Sequence, residues 1–378
     1  MLTSQDFKEI EKEASRIYGD LEFEIIQEIS ERIANFGYAN TVALNNIQLA
    51  QEMGIVYEDI ISLVSKYSEL SESQIKEIFE TAGAHAIKTD DLIYKKAGLN
   101  PKGLSTSMLQ TLEATAQKTQ NNLTNLCLTT ANTGQLQFYE GINKAYMEVS
   151  TGVKGYTEAI IDTVKDIAKQ GAYIQYPSGY RLNIEPAVRM NVLTSVNQTA
   201  GRLQLMRAEE MGWDLMEISA HSGARPEHAE WQGKIVSRSG QKGYLSLDDI
   251  GYGEVTGFQG ANCRHTWYPY YKGSSLSYSN KELKDLKNEY VNYNGQRVSK
   301  YDATQIQRRM ERQIRRDKKD LAGLEGIMLS GNKDIDTETV SQNISNIRNN
   351  LKEKNERLND FVKQTKLKKD NTRLQVGV

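Results

Sequence analysis

Apolar residues at the start of this chain recur every three or four positions: Phe7, Ile10, Ala14, Ile17, Leu21, Ile25, Ile29 and Ile33. A repeat near 3.6 residues puts them on one stripe of an α-helix and excludes a strand, whose faces alternate with period two. The spacing predicts a helix over residues 4–36, with Gly37 as its C-terminal cap. A second helix is expected through Leu44, Ile47 and Leu49, stopping near Met53-Gly54, and a third over 58–67. A fourth should open at Ser71, because Ser71 and Gln74 match a capping box in which each side chain satisfies the other's exposed backbone N–H. After the loop 97–101, with Gly98 and Pro101, more polar helices are expected, including 107–127 and 135–150.

The pattern changes at Tyr156. Residues 156–171 (YTEAIIDTVKDIAKQG) read as an amphipathic helix closed by glycine. Two short β-like pieces follow about a Pro177-Ser178-Gly179 turn. Pro186 should start a helix over 187–211 that ends at Gly212. Strands are expected at 213–220, 234–238, 244–247 and 263–271, with a short turn at 227–232 and a glycine-dense loop carrying Gly251, Gly253, Gly257 and Gly260. Beyond it, Asn294-Gly295 is a type I′ hairpin signal, because both positions tolerate positive φ. Ile306, Met310, Ile314, Leu321, Leu324 and Met328 then share a helix face. Ser330-Gly331-Asn332 breaks the run, and Val340, Ile344, Ile347, Leu351, Leu358 and Phe361 follow a heptad pattern with Lys354 as its polar exception. Two such arms around a turn imply an antiparallel helical hairpin whose seams pack on each other.

A length of 378 residues leads to an expectation of two or three units. The expected fold is mainly α with a small α+β domain. A helical region spans 1–155, a compact β-containing knot 156–272, and a tail of β-hairpin and helical hairpin 273–378. Tyr, 20 residues, outnumbers Phe, 7, and Trp, 3, which suits half-wet interfaces better than one large dry core. Apolar runs are too short to span a bilayer, so no membrane partner is expected. No basic-then-apolar stretch precedes Asp6, and Cys127 and Cys263 form no disulfide framework, so synthesis in the cytosol is the expectation.

The net charge of −2 names no partner, but its distribution is uneven. Arg308, Arg309, Arg312, Arg315, Arg316, Lys318 and Lys319 crowd one stretch against only Glu311 and Asp317. Such a run can meet DNA phosphates. The favoured expectation is a helix face with ion pairs to its neighbours.

Three of the four histidines, His221, His228 and His265, fall within residues 221–265, and Cys263 joins them there. Cys263 and His265 lie two apart on an expected strand, so their side chains would face the same way. Imidazole and thiolate donors converging from a turn and a strand are what Zn²⁺ prefers, although the spacing is not that of a standard zinc motif. The preferred expectation is therefore no cofactor and a hydrogen-bonded turn, with zinc as the ion these four residues would take. Arg225-Pro226 biases the chain toward an extended residue followed by a helical turn, and Trp231 supplies an apolar face to close it. No motif frames a nucleophile and base, and a nuclease using His221 or His228 with a metal is the enzymatic alternative. The glycine-dense loop lacks the βα context of a phosphate-binding loop. Asn197-Gln198-Thr199 is a formal glycosylation sequon, and His85 is expected to be structural.

These residues resemble the minor capsid protein 2 family of phages and prophages of Gram-positive bacteria, over nearly the whole length. The densest stretches are YPSG (176–179), AVRMNVLTSVNQTAG (187–201), AHSGARPEHAEWQGK (220–234), GANCRH (260–265) and YDATQIQRRMERQIRRDKK (301–319). The central part is also similar, more distantly, to the Mu F-type head morphogenesis domain. Asn262-Cys263-Arg264 matches that domain's terminal element, while His265 stands where a second cysteine is common. Pro226 and His228 stand where some relatives carry a cysteine pair. The resemblance implies a metal-binding knot or its loss, with Arg225, Pro226, Trp231 and Asn262 as structural turn residues. It also implies a structural, non-enzymatic protein of a tailed-phage head, attached in few copies at or near the portal inside the procapsid. The partners it implies are the portal, the major capsid or scaffolding protein, and packaged DNA.

Overall fold

The structure, a computed structural model, describes residues 2, 4–36, 42–369 and 371–374. The expected cap at Gly37 lies outside the described residues. Nine α-helices and seven short strands follow in order among them: α1 (Ser4–Asn35), α2 (Val42–Lys96), α3 (Thr106–Ser150), α4 (Tyr156–Gln170), β1 (Tyr173–Gln175), β2 (Arg181–Asn183), α5 (Ile184–Glu210), β3 (Leu215–Ile218), α6 (Pro226–Ala229), β4 (Ile235–Ser237), β5 (Trp267–Pro269), α7 (Asn280–Lys287), β6 (Tyr290–Tyr293), β7 (Gln296–Ser299), α8 (Lys300–Leu329) and α9 (Thr337–Thr365). The chain is mainly helical with a minor β component, as its periodicity predicts.

Several expected helix ends are absent. The three helices predicted between Leu44 and Lys96 are one, and the break near Met53-Gly54 and the cap at Ser71 do not occur. Val56, Ile60, Val64, Tyr67, Ile75, Phe79, Ala82 and Ala86 are all buried. The apolar stripe therefore runs straight through both points, and packing along it outweighs the roughly 1 kcal/mol that an interior glycine costs. Helices 107–127 and 135–150 likewise fuse into α3, where Cys127, Ala131, Phe138 and Ile142 are buried in one line. Gly171 closes α4 at φ 70°, and α5 begins at Ile184, two residues before Pro186, which its first turn accepts.

One large core unites the bundle. Leu21, Ile25, Ile29 and Ile33 from α1 meet Ile60 and Val64 from α2, Ile160 and Val164 from α4, and Val188, Val192 and Val196 from α5. Leu324 and Ile327 of α8 and Val340, Ile344 and Ile347 of α9 join the same cluster. Each fully buried side chain of this size contributes about 1.5–3 kcal/mol relative to exposure. The helical hairpin α8–α9 is present as expected. Lys354, the polar exception in its heptads, reaches both carboxylate oxygens of Asp317 at 2.7 and 2.6 Å.

The sheets are small and antiparallel. β1 pairs β2, β6 pairs β7 with Asn294 and Gly295 both at positive φ, and β3 lies between β4 and β5. Leu215 faces Ser237 and Ile218 faces Trp267 across that central strand, whose four residues are all buried. Residues 244–247, expected as a strand, contribute only an isolated bridge between Leu245 and Val236. Residues 263–266 lie in a loop before β5, so the strand expected at 263–271 is reduced to Trp267–Pro269.

Candidate metal centre

α5 holds the site in place because two of its faces are buried. Val188, Val192 and Val196 pack into the bundle, while Asn197, Gln198 and Gln204 turn toward residues 259–267. Asn197 Nδ2 donates to the carbonyls of Cys263 at 3.0 Å and His265 at 3.2 Å. Gln198 Nε2 donates to the Gln259 carbonyl and Gln204 Nε2 to the Trp267 carbonyl at 2.7 Å. A loop without sheet partners must satisfy its carbonyls elsewhere, and these amides do so. Gly201 admits the loop: a β-carbon there would overlap the buried Gln259 side chain. Gln259 and Asn262 take the left-handed conformation, at φ 59° and 57°, which lets the loop reverse before Cys263.

The opposite wall is the turn expected from Arg225-Pro226. Pro226 occupies the first position of α6, and the Arg225 guanidinium donates to the Ala261 carbonyl at 2.8 Å, tying turn to loop. Trp231 lies 4.6 Å from the His228 ring and meets the His265 ring edge-on at 4.6 Å, with Phe258 edge-on at 5.6 Å. Met216, Ile218, Val236, Ile250 and Trp267 complete the apolar surround.

Inside this shell one ligand atom each from His228, Cys263 and His265 lies within 4.8 Å of the others. All three residues are buried. Cys263 Sγ is 3.8 Å from His228 Nδ1 and 3.5 Å from His265 Nδ1. The structure thus brings Cys263 and His265 together by a turn, not by the side-sharing of a strand. His221, half-buried, stacks on His265 with ring centroids 4.2 Å apart.

The hydrogen bonds on the outer nitrogens fix the tautomers. His228 Nε2 lies 2.8 Å from the Thr256 carbonyl, which only accepts, so Nε2 carries the proton and Nδ1 keeps its lone pair. The His221 backbone N–H donates to Gln232 Oε1 at 2.7 Å, which orients that amide. The same oxygen lies 3.1 Å from His265 Nε2, so this nitrogen also carries its proton, and His265 Nδ1 is a lone pair too. His221 Nδ1 donates to the Ser222 carbonyl at 3.1 Å, leaving Nε2 a buried lone pair without a hydrogen-bond partner.

Burial holds all three rings below the ordinary histidine range, His265 well below it, because a desolvated imidazolium has little to offset its charge. Burial also raises the Cys263 thiol above its usual value. One S–H therefore faces two imidazole lone pairs and can satisfy one. The other is left facing the lone pairs of the same sulfur, a mismatch of about 1–3 kcal/mol in a buried site.

The basic stretch divides between two faces of α8. Arg315 pairs with Glu185, Lys319 with Glu22 at 2.5 Å, and Lys318 donates to the Leu374 carbonyl. Arg308 faces inward, and burial lowers it to about 10, helped by Arg373 and Arg264. Arg309, Arg312 and Arg316 remain exposed at positions that share one helix face. Sequence reasoning missed Asn197, Gln198, Gln204, Gln232 and Thr256. Of these only Asn197 and Gln198 were named in the sequence, as part of a sequon.

The model of the family described as phage minor capsid protein 2 matches residues 2–363. The chain belongs to that family. The matched span takes in the bundle, the knot and nearly all of the helical hairpin, including Phe361. The chain is 28% identical over 318 residues to a protein named "Structural protein" from Lactococcus phage LL-H, covering 80% of this chain and 82% of that one. No solved structure matches it.

Proposed function

We propose that this protein is a structural component of a tailed-phage head, held inside the procapsid at or near the portal. There it supports head assembly or genome packaging and ejection. The family match across residues 2–363 carries this reading, and the relative named as a structural protein supports it. Its partners in this reading are the portal, the major capsid or scaffolding protein, and packaged DNA. Among the described residues no helix is long and apolar enough to cross a membrane.

The physical design suits a rigid strut. Helices of 55 and 45 residues span about 80 and 70 Å at 1.5 Å per residue. Both are locked laterally into one core. We assign no catalytic residue. A packaged metal-dependent nuclease would need its histidines open to a phosphodiester, whereas His228 and His265 are buried beneath Trp231. Binding of DNA at Arg309, Arg312 and Arg316 is favoured by their shared exposed face.

The test is a phage in which this gene is silenced by a stop codon. The account expects fewer heads, heads short of DNA, or particles that fail to infect. Heads normal in yield, DNA content and infectivity would overturn it.

A further inference from the structure

We propose that His228 Nδ1, Cys263 Sγ and His265 Nδ1 bind one structural Zn²⁺, with His221 Nε2 as the fourth donor. The donor geometry carries this. Tetrahedral zinc with ordinary Zn–N and Zn–S bonds holds sulfur and nitrogen ligands about 3.6 Å apart. The two sulfur–nitrogen separations here are 3.8 and 3.5 Å, close to that span.

The surroundings complete the case. Zinc-bound imidazoles commonly donate their other N–H to an oxygen acceptor that fixes the ring. His228 does so to Thr256, His265 to Gln232, and His221 to Ser222. The His265 backbone N–H lies 3.4 Å from Cys263 Sγ, a hydrogen bond that supports a thiolate. His221 lies outside that three-residue group, and to serve as fourth donor its ring would turn off its stack on His265 and present its unpartnered Nε2 to the ion. On binding, the Cys263 S–H bond breaks, a Zn–S bond forms, and one proton leaves to solvent. Imidazole nitrogens and a sulfur without a carboxylate select zinc over magnesium or calcium. With four protein ligands and an apolar lid the site is closed, so its role is to clamp α6 onto the loop before β5.

The test uses the full chain, expressed with zinc and passed through gel filtration. Elemental analysis should find close to one zinc per chain in the wild type and in Cys127→Ser, and a loss of most of it in Cys263→Ser and His228→Ala. Cobalt(II) in place of zinc should give tetrahedral visible bands and a near-ultraviolet thiolate band that Cys263→Ser abolishes. His221→Ala should weaken zinc binding about tenfold or more; unchanged affinity would remove it as fourth donor. Should a variant fail to fold, the wild type decides alone: chelation should lower its melting temperature by several degrees and added zinc restore it. Zinc below about one-tenth of an equivalent after loading, with a melting temperature indifferent to chelator, would overturn the site. Either outcome leaves the head-assembly reading to its own test.

Discussion

Asn197 in the middle of α5 and Cys263 in the loop before β5 are 66 residues apart in sequence and joined by a 3.0 Å hydrogen bond. The same amide nitrogen holds the His265 carbonyl. One buried side chain thus sets the position of the two loop residues whose side chains line the donor cluster, and it does so from a helix that belongs to the bundle core.

Asn197→Ala should therefore destabilise the protein beyond a simple truncation. Two buried carbonyls would lose a donor, at a cost of about 1–3 kcal/mol each in the worst case. Urea denaturation should show the loss, and hydrogen exchange should show it concentrated in residues 259–267. Wild-type stability with unchanged exchange would mean the amide is no strut.

The polar break in the hairpin seam gives a second expectation. Lys354→Ala leaves Asp317, which is buried, without its cation, and should cost about 3 kcal/mol or more. The double variant Lys354→Leu, Asp317→Leu should recover most of that, because removing both charges avoids an uncompensated one. Equal losses for the single and double variants would contradict this.

Asp90 sets a pH dependence. Burial pushes its carboxyl up to about 8, despite the amide of Gln204 at 3.0 Å. A folded pKa above the unfolded one contributes stability that is full in acid and lost as pH rises through the folded value. Melting temperature should therefore fall as pH rises from the unfolded carboxyl's range, about 4, up to about 8, and level off above it. Asp90→Asn, which mimics the neutral acid, should flatten that slope. A slope identical in both proteins would show that Asp90 is not its source.

The exposed arginines of α8 predict salt-dependent binding to duplex DNA. Replacing Arg309, Arg312 and Arg316 with Gln should make the log–log salt slope shallower by about 0.9 for each phosphate no longer neutralised. The same replacement at Arg315 should instead destabilise the fold, since it breaks the pair with buried Glu185. Unchanged DNA affinity in the triple variant would leave this face without a role in DNA.

The helical character, the β-hairpin at Asn294-Gly295 and the α8–α9 hairpin were legible because periodicity and turn chemistry are local. Helix ends were not. Ser71 and Gln74 have the residues of a capping box, yet α2 runs through them, whereas the box that forms is Ser279 with Glu282, at the start of α7, a helix the periodicity did not predict. A cap is used only where packing lets the chain turn, and the buried stripe of α2 does not.

The donor cluster was legible as a set of residue types, and its assembly was not. Cys263 and His265 were expected side by side on a strand and instead meet in a turn. Asn197, Gln232 and Thr256, which hold the site from 66, 33 and 28 residues away from their partners, leave no spacing signal. The basic stretch looked uniform in sequence, and helix geometry divides it into paired and exposed faces.

The most direct test of the central claim is a reconstruction of the intact phage head, refined around the portal vertex without imposed icosahedral symmetry. The account predicts density for the long α2–α3 bundle inside the shell, touching the portal. Absence of the chain from purified heads, or density only on the outer surface of the shell, would contradict it.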